Sequence, residues 1–132
     1  DMSNCLGQGG LSKRERQIAM LAIARFWGAK YPWAAQARNA TAIGISQDLL
    51  DTINAGSKPK LDDVRENMAY DLTVELLSTK SLSDATYSAA AKLFDEKELV
   101  SLIGTVGAFS MTCLTTLAYD CTPTSEMTHK LR

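Results

Sequence analysis

Histidine is almost missing from this chain of 132 residues: the single one, His129, follows Pro123 in a polar tail and reads as a solvated side chain. Cysteine is scarce as well. Cys5, Cys113 and Cys121 form no C-x-x-C pair and no Cys/His spacing that suits zinc, so no metal ligand set is expected. Cys113 and Cys121 would lie about 12 Å apart along one helix, too far for a mutual disulfide. Three reduced thiols in a cytoplasmic protein are the expectation, and no secretory signal opens the chain. An excess of positive charge is also lacking. The net charge of −1 provides no concentrated basic field for phosphate, which argues against nucleic acid as a partner. The basic cluster Lys13, Arg14 and Arg16 is interleaved with Glu15 and reads as a solvated helix start. Strand-like alternation is missing throughout, which leaves an all-α reading without a competitor.

What is present fits one soluble domain. Apolar residues make up 45% and charged residues 22%, unlike a disordered chain, and the length suffices to bury a core without metal or disulfide support. Residues 1–10, with Gly7, Gly9 and Gly10, form an arm; 11–122 form the helical domain; 123–132 form a tail. Ser12 caps a helix to about Trp27, with Ile18, Leu21, Ala22 and Phe26 on its apolar side and Gly28 ending it. In "YPWAAQARNATAIG", Pro32 suits a first turn and Gly44 a stop, while Trp33, Gln36, Ala37, Ala40 and Gly44 share one stripe. Ser46 caps a short helix to Ile53, and the turn-rich segment Asn54 to Pro59 breaks the chain. Leu61 to about Thr79 forms an amphipathic helix with Val64, Met68, Ala69, Leu72, Leu76 and Leu77 inward, and Ser83 caps a helix to about Phe94.

The last helix, from about Asp95 to Asp120, has no charge between Leu99 and Tyr119. That suits either a membrane span or a buried helix. Its many Ser, Thr and Gly residues dilute the hydrophobicity and favour burial against neighbours, including another subunit, over a membrane.

The stretch "LSKRERQIAMLAIARFWGAKYPWAAQARNATAIGIS" resembles the carboxymuconolactone decarboxylase family, which includes the alkylhydroperoxidase D proteins. Leu11-Ser12, Arg16, the run Ile18 to Arg25, Trp33, Ala40 and Gly44-Ile45-Ser46 fit its pattern, and Glu75, Leu76, Glu98, Leu99, Gly107 and Phe109 continue it to about residue 122. The resemblance implies an alkylhydroperoxidase D-like bundle of about six helices, a homo-oligomer of trimeric or hexameric form, and a small-molecule pocket beside the Trp-bearing helix. It also implies decarboxylation without metal or organic cofactor. Trp33, Gln36 and Phe109 become candidate substrate-binding residues by position. Two departures matter: Pro32 stands where the family has Glu, and Gln36 where it has His. The cysteine pair of the peroxidase branch is missing too, so a thiol peroxidase is not expected.

Gln36 can donate a hydrogen bond but does not titrate near neutral pH, so a proton carrier must come from elsewhere. Glu75 and Tyr70 on the long middle helix are the catalytic candidates. Glu75, desolvated by Leu72 and Leu76, would have a raised pKa suited to proton transfer; alternatively it pairs with Arg16 or Arg25. Tyr70 is an acid candidate or a packing residue. Two functions follow. One is a cofactor-independent lyase or isomerase acting on a small lactone or carbonyl compound; the other is a non-catalytic small-molecule-binding or assembly protein that keeps the oligomer.

Overall fold

Among the described residues six helices follow one another in the order expected from the sequence: α1 (Lys13–Trp27), α2 (Lys30–Ala42), α3 (Gln47–Asn54), α4 (Val64–Thr79), α5 (Asp84–Leu93) and α6 (Glu96–Ala118). The computed structural model describes residues 10–122, and among these there is no strand. The arm and the tail, with Cys5, Pro123 and His129, lie outside the described residues.

Every helix start but that of α2, where Ala29 precedes the helix, has a side-chain cap. Ser12 and Asp95 each form a capping box, with Glu15 and Glu98 respectively as the returning residue. Ser46 and Ser83 accept from Leu49 and Thr86 backbone N–H groups. α4 starts three residues later than Leu61 because the Asp63 carboxylate accepts from the backbone N–H groups of both Arg65 and Glu66. α1 ends where Gly28 enters the left-handed region at φ 67°, a conformation that a side chain would disfavour.

α1 lies at the centre, packed most extensively on α4 and α6 and also on α2 and α3. Ile18, Leu21 and Ile23 of α1 form one core with Trp33, Ile53 and Cys113; Ala19 joins a second with Leu72, Phe94, Leu99 and Leu102. Two residues expected inside are outside. Phe26 is 44% exposed, with its ring edge-on to Trp27, and Val64 is 64% exposed because it is the first residue of its helix.

α6 is covered on one side only. Leu99, Leu102, Val106 and Cys113 are buried, while Val100, Ile103, Met111 and Leu114 face outward. By length and composition α6 is the one described helix apolar enough to cross a membrane, and a third of its apolar window is buried within the chain.

The N-termini of α1, α4 and α6 meet at one guanidinium. Arg65 donates to Glu15 at 2.9 Å from Nε and 3.2 Å from Nη2, and to Glu98 at 2.6 Å from Nη2. Its Nη1 also donates to the Leu93 carbonyl, and its carbon stands 4.5 Å from the centre of the Phe94 ring. Both capping-box glutamates therefore use one oxygen set for their own helix end and for the same arginine. Beside them Arg14 makes a two-point contact with Glu66, at 3.1 and 3.2 Å.

Arg65→Ala leaves Glu15, 5% exposed, and Glu98 close together without a cation. We expect a loss of about 3 kcal/mol, the lower end of the range for breaking a buried pair because Arg65 is itself partly solvated, measured by urea unfolding. The Arg65 hydrogen bond, followed by that from the Asp95 N–H, holds the Glu98 carboxyl below its ordinary value of 4.5. A depressed folded-state pKa stabilises above the unfolded value and is lost as pH falls through the folded one. Melting temperature is therefore expected to fall on acidification below about pH 4.5, and less steeply in Glu98→Gln. Thr73 makes the opposite case: it is fully buried and its hydroxyl has no hydrogen-bond partner. Thr73→Val, of the same shape, should raise stability by about 1 kcal/mol.

Candidate functional site

α2 presents its aromatic and its amide in two different ways. Trp33 is 1% exposed and belongs to the core, wedged among the apolar residues of α1, α3 and α6. It is a packing residue. Gln36, half-buried one turn on, is locked into an amide cluster. Gln17 of α1 donates from Nε2 to the Gln36 side-chain oxygen at 2.8 Å and to its backbone carbonyl at 3.2 Å, and Asn39 donates to the same side-chain oxygen at 3.5 Å. The carbonyl end of Gln36 is thus occupied by the protein itself. The sequence reading missed Gln17, which is 6% exposed; the available signal was a polar residue one turn before Leu21 on the apolar side of α1.

Glu75 also departs from expectation. Its carboxylate accepts from the Ser83 N–H at 2.9 Å, the Thr86 hydroxyl at 2.8 Å and the Ser83 hydroxyl at 3.4 Å. These bonds, the Ser83 backbone one first, hold its pKa below the usual carboxylate value. The expected rise does not occur because these hydrogen bonds outweigh desolvation, and they make Glu75 an anchor for the α5 N-terminus. Phe109 is half-buried against the main core and does not join Tyr70.

Tyr70 does line an opening. A cavity of about 300 Å³ lies between α1, the end of α3 and α4, walled by Ala22, Arg25 and Phe26, by Ile53 and Gly56, and by Tyr70 and Val74. The Tyr70 hydroxyl donates to the Ser57 carbonyl at 3.5 Å, a long contact. Desolvation, then the nearby Asp71, push its pKa above the ordinary tyrosine value, with Arg25 opposing. Arg25 donates from Nε to the Asn54 carbonyl at 2.7 Å, which fixes the plane of its guanidinium. Its Nη2 atom would stand 3.3 Å from a side chain at Gly56, whose φ of 79° also disfavours one. From the sequence Arg25 is named only as an alternative partner of Glu75, and the pocket is expected beside the Trp-bearing helix, whereas this cavity is lined from α1, α4 and the end of α3.

Cys113 is buried on α6, and desolvation pushes its thiol up to about 11, so it carries no thiolate at neutral pH. Cys121 is exposed. Among the described residues no group of three His, Cys, Asp or Glu side chains could hold a metal ion.

No protein-family model and no curated protein matches the sequence. Among solved structures, the chain is similar to a protein of unknown function from Agrobacterium tumefaciens, put forward as the antioxidant defence protein AhpD. The TM-score is 0.83 at 12% identity, over 95% of this chain and 87% of that one. This chain has an AhpD-like fold. An uncharacterized peroxidase-related protein from a Silicibacter species gives the same TM-score of 0.83, at 20% identity over 99% of this chain and 71% of that one. The helical bundle implied by the sequence resemblance is therefore the fold observed, and at these identities the AhpD-like likeness concerns architecture.

The Gln17–Gln36 pair changes what is expected of a substitution at Gln36. Gln36→Ala strips the buried Gln17 amide of its best acceptor, so unfolding stability should drop by about 1–2 kcal/mol. Combining it with Gln17→Met removes the orphaned donor, and urea denaturation should show part of the loss recovered.

Proposed function

We propose that the chain is a non-catalytic small-molecule-binding protein that keeps the AhpD-like bundle and takes its ligand in the Arg25–Tyr70 cavity. The observation that carries this reading is the Gln17–Gln36 pair. The position resembling the family's histidine is filled by a neutral amide, and that amide is held by a second one, so neither can shuttle a proton. Glu75 of α4 is engaged in capping and the Cys113 thiol of α6 is protonated, so neither supplies the base or thiolate that Gln36 lacks. Buried reduced thiol at Cys113 agrees with a cytoplasmic location.

The second reading is a cofactor-independent lyase or isomerase acting on a small lactone or carbonyl compound, and one observation favours it. Tyr70 places a protonated phenol in the cavity beside the cation of Arg25. Such a pair suits stabilisation of an enolate by Arg25 and return of a proton to carbon by Tyr70. A screen for carbon dioxide release from lactone and β-keto acids separates the two readings. The binding reading expects no turnover above the uncatalysed rate. Turnover that disappears in Tyr70→Phe would establish the lyase.

The same reading includes assembly of identical subunits through α6, as a trimer or hexamer. Val100, Ile103, Gly107, Met111 and Leu114 recur at helical spacing on the uncovered side, and Gly107 has nothing within 4 Å of where a Cβ would stand, which allows close approach. Light scattering at micromolar concentration is expected to show an oligomer, and Met111→Glu should shift it to monomer. A wild-type monomer, soluble without detergent, would remove this part of the proposal.

A further inference from the structure

The geometry points to a small organic anion as the ligand of this cavity, its charged group held by the Nη edge of Arg25 and the Tyr70 hydroxyl, its apolar body against Phe26, Ile53 and Val74. The inference rests on the binding reading above and goes further by naming the charge and shape of what binds. It starts from charge balance. Among the described residues the ion pairs are Arg14 with Glu66, Lys58 with Asp71, and Arg65 with Glu15 and Glu98; Arg25 takes part in none of them. A partly buried guanidinium with no carboxylate opposite leaves its charge uncompensated, and an incoming anion would supply the missing partner.

Three further features fit that role. The bond from Nε to the Asn54 carbonyl spends the arginine's inner donor on the protein and fixes the fork, so the outer nitrogens are pre-oriented at little entropic cost on binding. Asp71, the carboxylate nearest to Tyr70 in sequence, is turned to Lys58 at 3.2 Å and makes no ion pair with Arg25. The Tyr70 hydroxyl is tied to Ser57 only by a 3.5 Å contact, so it can turn to donate to an anion. The walls supply the rest: Ala22, Phe26, Ile53 and Val74 accept hydrocarbon, and the bare backbone of Gly56 keeps the guanidinium edge open. A volume of about 300 Å³ accommodates one aromatic or branched aliphatic acid.

Benzoate and its neutral isostere benzamide are suitable probes, titrated into the full chain and followed by amide chemical shifts and calorimetry. Benzoate is expected to shift resonances of residues 22–26, 53–57 and 70–74 and to bind at least tenfold more tightly than benzamide. Arg25→Gln should erase that preference, and Tyr70→Phe should weaken benzoate several-fold with little effect on benzamide. Gly56→Val should block both; circular dichroism of each variant checks that it remains folded. Equal binding of the two probes to the wild type, or a benzoate preference that survives Arg25→Gln, overturns the anion assignment while leaving a small-molecule cavity in place. Absence of shifts with either probe at millimolar concentration overturns the binding reading and the anion assignment together.

Discussion

Three helix N-termini cannot be brought together without cost. Each carries unsatisfied N–H groups and a partial positive charge, and α1, α4 and α6 all begin at the same corner of the bundle. Acidic capping residues answer this locally: Glu15 and Glu98 turn back onto their own helix starts, and Asp63 does so for α4. Those carboxylates would then repel one another across the corner. Arg65, second residue of α4, sits between Glu15 and Glu98 and removes the conflict, with Phe94 covering its face. The relative placement of the three longest helices follows from that arrangement, and with it the gap between α1 and α4 in which the cavity lies.

Helix order and most helix ends were legible in the sequence because caps are local. Ser12, Ser46, Ser83 and Asp95 each act within three residues of themselves, so their chemistry is visible without knowing the fold. The site was much less legible. Trp33 and Gln36 were placed correctly on one helical stripe, yet a stripe does not say whether it meets a core, a cavity or another amide. That depended on Gln17, which is 19 residues away. Glu75 was misjudged for a related reason: the groups that meet its carboxylate, Ser83 and Thr86, come from the following turn and the first turn of α5. Tyr70 alone among the candidates reaches the cavity, and its partner Arg25 acts across the loop after α3.

Core and cavity overlap at Ala22, Ile53 and Tyr70, while most of the packing lies away from the opening. The core depends on Ile18, Leu21, Ile23, Leu72 and Leu102, together with the Arg65 corner, none of which belongs to the amide pair or the cavity. The Gln17–Gln36 amide pair joins α1 to α2 and does not titrate near neutral pH.

The central position of α1 also has a temporal meaning. It is made first, but its contacts are distant along the chain: Glu15 meets Arg65 across 50 residues, and Trp27 donates to Ser110 across 83. A chain emerging from the ribosome can cover α1 with α2, α3 and α4 as each is made, but the side of α1 that α6 covers stays open until α6 has been made. A stop within α6 would release a chain with that side of its central helix uncovered.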